Sequence, residues 1–257
     1  MMAASPLSTQ PLLDIRHLHK AFGGVQAVQD IGFTVEAGEM VALIGPNGAG
    51  KSSCFNLING QLAPDQGTVL LDGMPIQGRS PRQIWRQGVG RTFQIPATFG
   101  SMTVLENLQL AVASAHGHRW RFWRPLYRHY RGEAEALLAQ VGMRDQAGQP
   151  CGTLAYGDVK RVELAIALAS APRLLLMDEP TAGMAPHERH ALMDLTRRLV
   201  DERGLGVLFT EHSLDVVFAH ANRIVVMARG RCLTQGTPEA VASHPEVRAV
   251  YLGSYQP

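Results

Sequence analysis

The chain has 257 residues, 46% of them hydrophobic and 18% charged, an ordinary globular composition with room for one large domain or two modest ones. Lys and Arg outnumber Asp and Glu by 24 to 22, a net charge of +2, so overall charge gives no case for a nucleic-acid binder and any basic partner surface must be local. Three widely spaced cysteines, Cys54, Cys151 and Cys232, with no CxxC pair, argue against a disulfide framework or a zinc site and fit a reducing compartment. The start, MMAASPLSTQPLLD, lacks a basic segment and an apolar run, so it reads as a loose tail over residues 1–11 rather than a secretory signal. No apolar run approaches the roughly 18 residues that span a bilayer, so work at a membrane would require another chain to supply the span.

In chain order, residues 12–46 alternate β-like runs (LLDIRHL, IGFTV, MVALIG) with turn residues, and GTVLLDGMPI at 67–76 reads as a further hairpin strand. Between 102 and 171 the pattern turns helical: TVLENLQLAVASA, GEAEALLAQV and DVKRVELAIALAS repeat apolar residues at i, i+3 and i+4. Then LLLMD, VLFTE and RIVVMA are buried-strand candidates, separated by helices starting near Pro186 and Ser213. The order predicts an α/β chain with one nucleotide-binding core and a helical subdomain inserted at about 97–165, the whole domain covering 12–252.

The string GPNGAGKS fits G-x-x-x-x-G-K-[ST] at each fixed position and lies between a strand-like run and a helix-like one. Its residues are Gly45, Pro46, Asn47, Gly48, Ala49, Gly50, Lys51 and Ser52, with Ser53 next. Glycines let backbone N–H groups close around phosphate oxygens, and the new helix adds its positive end. Lys51 reaches the β- and γ-phosphates, and the Ser52 hydroxyl is a ligand for Mg²⁺. Downstream, LLLMDEP ends a buried strand in two carboxylates. Asp178 then holds Mg²⁺ beside Ser52, and Glu179 polarises the attacking water as general base.

With those motifs placed, residues 12–252 resemble the ATPase subunits of ABC transporters. The resemblance implies a RecA-like P-loop NTPase core with an antiparallel β subdomain, and ATP with Mg²⁺ as its ligands. It implies that Phe22 in HKAFGG stacks on adenine and that Gln94 in VGRTFQIP links the metal site to a membrane subunit. It further implies that His212 in VLFTEHSLD contacts the γ-phosphate and orients base and water, and that TAGMAP at 181–186 crosses a dimer interface. More narrowly, KAFGGVQAVQDIGFTV, GRTFQIPATFGSMTVLENL, LAYGDVKRVELAIALA and the ending VRAVYLGS look like the ATPase subunit of branched-chain amino acid importers. Implied partners are a second ATPase chain, two integral membrane permease subunits and, indirectly, a periplasmic or extracellular solute-binding protein. The implied location is the cytoplasmic face of a bacterial-type inner membrane, held peripherally. Related importers of urea, amides or aromatic acids are alternatives for the cargo, and a soluble cassette acting on nucleic acid or the ribosome is the alternative class. A long coiled coil or a second cassette would mark that class, and neither is present.

The signature string of the family is LSGGQ, or LSYGQ in this branch, and it holds the γ-phosphate of the partner's ATP. Here it is LAYGD: Ala155, Tyr156, Gly157 and Asp158 face the partner site, with Ala155 in place of Ser and Asp158 in place of Gln. One hydroxyl hydrogen bond to a charged phosphate is lost, worth about 1.5–3 kcal/mol. The helix end and the Gly157 backbone remain. Because the string acts in trans, the loss falls on the partner's site, and a pair of unlike ATPase chains becomes asymmetric; a homodimer would be weakened at both sites. One stretch stands outside these roles. HGHRWRFWRPLYRHYR, 116–131, carries five arginines and five aromatics without an acid. It reads as a solvated helical excursion, as a surface against anionic lipid or the membrane subunit, or as a nucleic-acid site.

Overall fold

A computed structural model describes residues 10–92, 97–117 and 130–252. Outside them lie most of the predicted N-terminal tail, Gln94, and all of the basic aromatic stretch except its ends. At those ends the His116 and Tyr130 rings stack with centroids 4.9 Å apart, and His116 meets Glu133 at 2.9 Å.

Two sheets carry the chain. The first is antiparallel and four-stranded, in the order β2 (Val25–Val35), β1 (Leu13–Phe22), β4 (Gln66–Leu71), β5 (Met74–Pro75). The second runs β10 (Arg231–Gly236), β9 (Arg223–Ala228), β3 (Met40–Ile44), β8 (Gly206–Thr210), β7 (Leu174–Asp178), β6 (Val89–Thr92). Its strands are parallel except for β10 at the edge.

The parallel strands are apolar throughout because both faces are covered. Met40, Ala42 and Ile44 of β3 point into one core while Val41 and Leu43 point into the other. β7 divides the same way, Leu175 and Met177 against Leu174 and Leu176. The first core also holds the packed faces of α3 (Val104–Ala115), α4 (Arg131–Gln140) and α5 (Tyr156–Leu168), and of α6 (Pro186–Arg203) and α7 (Leu214–His220). The second takes the antiparallel sheet and α1 (Lys51–Ile58), with Ile84 of α2 (Pro81–Arg86). Cys54 of α1 is fully buried there, which pushes its thiol up to about 12. All three cysteines are free.

Helix ends follow their sequence signals. Thr103 and Glu106 form a reciprocal capping box on α3. Pro186 opens α6 and Gly204, at φ 64°, closes it. The first hairpin is longer than its apolar runs predict. Register shifts after Ile15 and Leu18 break the strict alternation that marks a strand, and the Gly23–Gly24 turn joins β1 to β2. After β10, α8 (Pro238–Ser243), α9 (Pro245–Val247) and a π-helical turn over Arg248–Leu252 finish the described chain. Among the described residues no helix is long and apolar enough to cross a membrane.

Candidate nucleotide site

The phosphate loop leaves β3 at Gly45 and enters α1 at Lys51. Its glycines are required by close packing on one side and by openness on the other. At Gly45, φ 147°, a Cβ would lie 2.1 Å from the Met227 carbonyl, and at Gly50, φ 100°, 2.2 Å from the Ala27 carbonyl. Gly48, φ 79°, has nothing within 4 Å of where a Cβ would stand, so the loop's crown faces open space. Asn47, Gly48 and Ser52 are exposed, Pro46 and Ser53 partly so, and Ala49 is buried. Lys51 is buried and donates to the Gly45 and Pro46 carbonyls at 2.7 and 3.1 Å. Burial pulls its ammonium below the usual lysine range, against the opposing charges of Glu179 and Asp178. Those attractions place the lysine and both carboxylates in one electrostatic environment.

Asp178 ends β7 and accepts from the Thr210 hydroxyl at 2.8 Å, with Arg91 of β6 at 3.6 Å. Glu179 adopts φ 48°, which is costly for a residue with a Cβ. Its N–H donates to the Thr210 carbonyl and hydroxyl at 3.2 and 3.1 Å. Thus turned, its carboxylate meets His212 Nε2 at 2.8 Å. His212 follows β8, so β3, β7 and β8 all deliver functional groups at their C-terminal ends, where open parallel sheets bind ligands. Phe22 stands at the tip of the first hairpin, 45% exposed, with Lys20 Nζ 5.6 Å from its ring centre. The same hairpin supplies the Ala27 carbonyl against Gly50.

The signature residues lie elsewhere. Ala155 caps α5 without a side-chain hydrogen bond, and Ala155 and Tyr156 are exposed, while Gly157 is buried and Asp158 partly so. Tyr156 lies against Gly183, and the Glu188 carboxylate against Gly157. None of residues 155–158 lines the cavity at the mouth of the phosphate loop. Gln94 is outside the described residues; strand β6, which precedes it in sequence, pairs with β7 up to Thr92 opposite Met177.

Several residues of the site were not singled out in the sequence. Thr210 joins Asp178 to Glu179, and Arg91 faces Asp178. Glu211, buried at 2% exposure, accepts from the Thr181 N–H and hydroxyl at 2.8 and 2.6 Å and from the His212 N–H at 3.1 Å. It therefore ties the TAGMAP loop to the His212 turn. A buried acid between Thr210 and His212 was legible only as part of TEH.

The family model described as ABC transporter matches residues 28–182, and one described as branched-chain amino acid ATP-binding cassette transporter matches 231–255. The high-affinity branched-chain amino acid transport ATP-binding protein BraF of Pseudomonas aeruginosa is 38% identical, over 95% of this chain and 99% of its own. LivG of Escherichia coli, described in the same words, is 37% identical over the same shares. Among solved structures, an ATP-binding cassette of an ABC transporter in its ADP conformation superposes with a TM-score of 0.85 at 30% identity, over 96% of this chain and all of its own. A nucleotide-free cassette gives 0.84 at 30% identity, over 95% and 100%.

Proposed function

We propose, because this chain belongs to the ABC transporter ATPases, that it is the ATP-hydrolysing subunit of an importer for branched-chain or closely related amino acids. The observation that carries the site assignment is the convergence of Lys51, Asp178, Glu179 and His212 from separate segments at one sheet end.

In this reading the phosphates are cradled by the backbone from Gly45 to Ser53, whose N–H donors come from every residue but Pro46, and Lys51 exchanges its two carbonyl partners for phosphate oxygens. Phe22 stacks on adenine. Ser52 and Asp178 would hold Mg²⁺, and Gln94 would link that site to the membrane subunit. One carboxylate and one hydroxyl suit a cation that keeps waters and substrate oxygens as ligands, and among the described residues no cluster of three or more ligating side chains would cage a softer metal. When bound, Mg²⁺ neutralises charge on the transferring phosphoryl group. Glu179 takes the proton of the attacking water, and His212, already hydrogen-bonded to it, fixes its direction.

The resemblance supplies the partners. A second ATPase chain, unlike this one, contributes its signature to this site, while Ala155, Tyr156, Gly157 and Asp158 contribute to the partner's. Two permease subunits carry the translocation path, and the chain sits peripherally on the cytoplasmic face. An apolar cleft of about 490 Å³ lined by Ile84, Trp85, Val89 and Ile166 lies beside β6, the strand that leads to Gln94, and suits a permease segment. A solute-binding protein delivers cargo from the far side. The test is reconstitution with the membrane proteins that copurify with the chain. ATP-dependent uptake of labelled leucine, isoleucine or valine supports the reading, and ATP-dependent uptake of only urea or amides overturns the cargo assignment. Copurification with nucleic acid and no integral membrane protein overturns the transport role.

A further inference from the structure

The C-terminal segment folds back onto the nucleotide site. Val241 and Val247, at 1% and 0% exposure, anchor α8 and α9 in the core that also holds Ile224 and Val226 of β9. The π-helical turn that follows brings Tyr251 against that core and into a cavity of about 290 Å³, whose other walls are Gly45, Pro46, Asn47, His212 and Leu214. The phenol is therefore placed between the start of the phosphate loop and the turn that carries His212. Burial pushes its pKa above the ordinary tyrosine value, a hydrogen bond with the Gly45 backbone opposes this, and the Glu211 charge adds to the rise. Tyr251 stays a neutral phenol at physiological pH.

Gly45 is thus held on two sides and shares a cavity wall with Tyr251. Its carbonyl accepts from Lys51, and its α-carbon lies against the Met227 carbonyl. His212, with a side chain 48% exposed, has Glu179 at 2.8 Å, and the Tyr251 ring helps wall the same cavity. We propose that Tyr251 is a positioning residue for ATP hydrolysis, through which the C-terminal segment holds the phosphate loop and the His212 turn in one fixed relation. The proposal rests on the reading of His212 as the residue that orients base and water.

The test measures ATP turnover by the assembled transporter carrying Tyr251→Ala, Tyr251→Phe, His212→Ala, or Tyr251→Ala with His212→Ala. Residues that wall one cavity couple, so Tyr251→Ala is expected to lower kcat by about five- to tenfold, and the double variant to match His212→Ala within about twofold. Tyr251→Phe keeps the ring that walls the cavity, so kcat and KM for ATP stay within about twofold of their original values. If the two alanine effects multiply in full, or Tyr251→Ala leaves kcat and KM at their original values, the positioning role is wrong. If Tyr251→Ala fails to assemble, Tyr251→Leu decides: it removes the ring while keeping an apolar side chain against the core, so kcat should still fall, and an unchanged kcat overturns the proposal. If His212→Ala alone leaves kcat unchanged, the underlying reading of His212 fails instead.

Discussion

Glu179 is held in a backbone conformation that costs about 1–3 kcal/mol for a residue with a Cβ, and the surrounding bonds show what maintains it. One hydroxyl, that of Thr210, donates to Asp178 and accepts from the Glu179 N–H, so it sets the spacing of two neighbouring carboxylates with different tasks. Thr210→Val preserves shape and removes both contacts. A hydrogen bond to a charged group contributes about 1.5–3 kcal/mol, so kcat for ATP should fall about tenfold or more while ATP affinity stays near its original value. Turnover and nucleotide binding measured on the same preparation check this. Equal losses in both would mean that Thr210 supports the fold and not the carboxylates. Lys51 makes a related point: its ammonium already lies on two loop carbonyls, so the phosphate loop keeps its shape through the side chain that later binds phosphate.

Two elements carry predictions of their own. Helices α6 and α7 meet at His190 and His220, whose ring nitrogens lie 3.1 Å apart, with Asp194, Arg197 and Asp215 facing the pair. Burial holds the His220 pKa below 6.5; Asp194 and Asp215 oppose the shift and His190 and Arg197 reinforce it. As pH falls below about 6.5 the unfolded chain takes up a proton that the folded chain resists, so this contribution to stability is present above that pH and is lost on acidification. Chemical denaturation between pH 7.5 and 5.5 should show a steeper loss for the original chain than for His220→Gln. Parallel curves would show that the buried imidazole does not govern the slope. Helix α5 carries the second prediction. Ala155 occupies the cap position without supplying a cap, so Ala155→Ser restores a hydroxyl that serves both the helix end and the partner's phosphate. Turnover at the partner's site should rise about tenfold, the lower end of a charged hydrogen bond, with this chain's own site unchanged. The matched pair of base-to-amide variants, one in each ATPase chain, reads the two sites separately.

Much of this architecture was legible in the sequence for definite reasons. LLLMD, VLFTE and RIVVMA read as buried strands because parallel strands covered on both faces need apolar residues at every position. The phosphate loop was legible because its glycines have no substitute beside the Met227 and Ala27 carbonyls. Glu179 and His212, assigned separately from a strand end and a family string, are joined at 2.8 Å. The first hairpin was read too short because its register shifts disrupt the alternation. Arg91, Thr210, Glu211 and Tyr251 escaped notice because their partners, at Asp178, Thr181 and Gly45, are distant in sequence and adjacent only in the fold.

At the scale of the whole molecule, the chain is arranged so that one sheet end gathers groups from every part of it. β3 brings the phosphate loop, β7 and β8 the acid–histidine pair, and the last turn Tyr251. The helices between β6 and β7 carry LAYGD away from that cavity and leave Ala155 and Tyr156 of it exposed. On the proposed reading such a molecule is half of two sites: the partner's string completes the site built by Lys51, Glu179 and His212, and the weakened LAYGD string bears on the other chain. The most direct test is ATP turnover by the assembled transporter carrying Glu179→Gln. Loss of a general base costs about 10²–10⁴-fold at its site, so turnover should fall to the slow rate of the partner's site while ATP is still bound. Turnover equal to that of the original transporter would contradict the account.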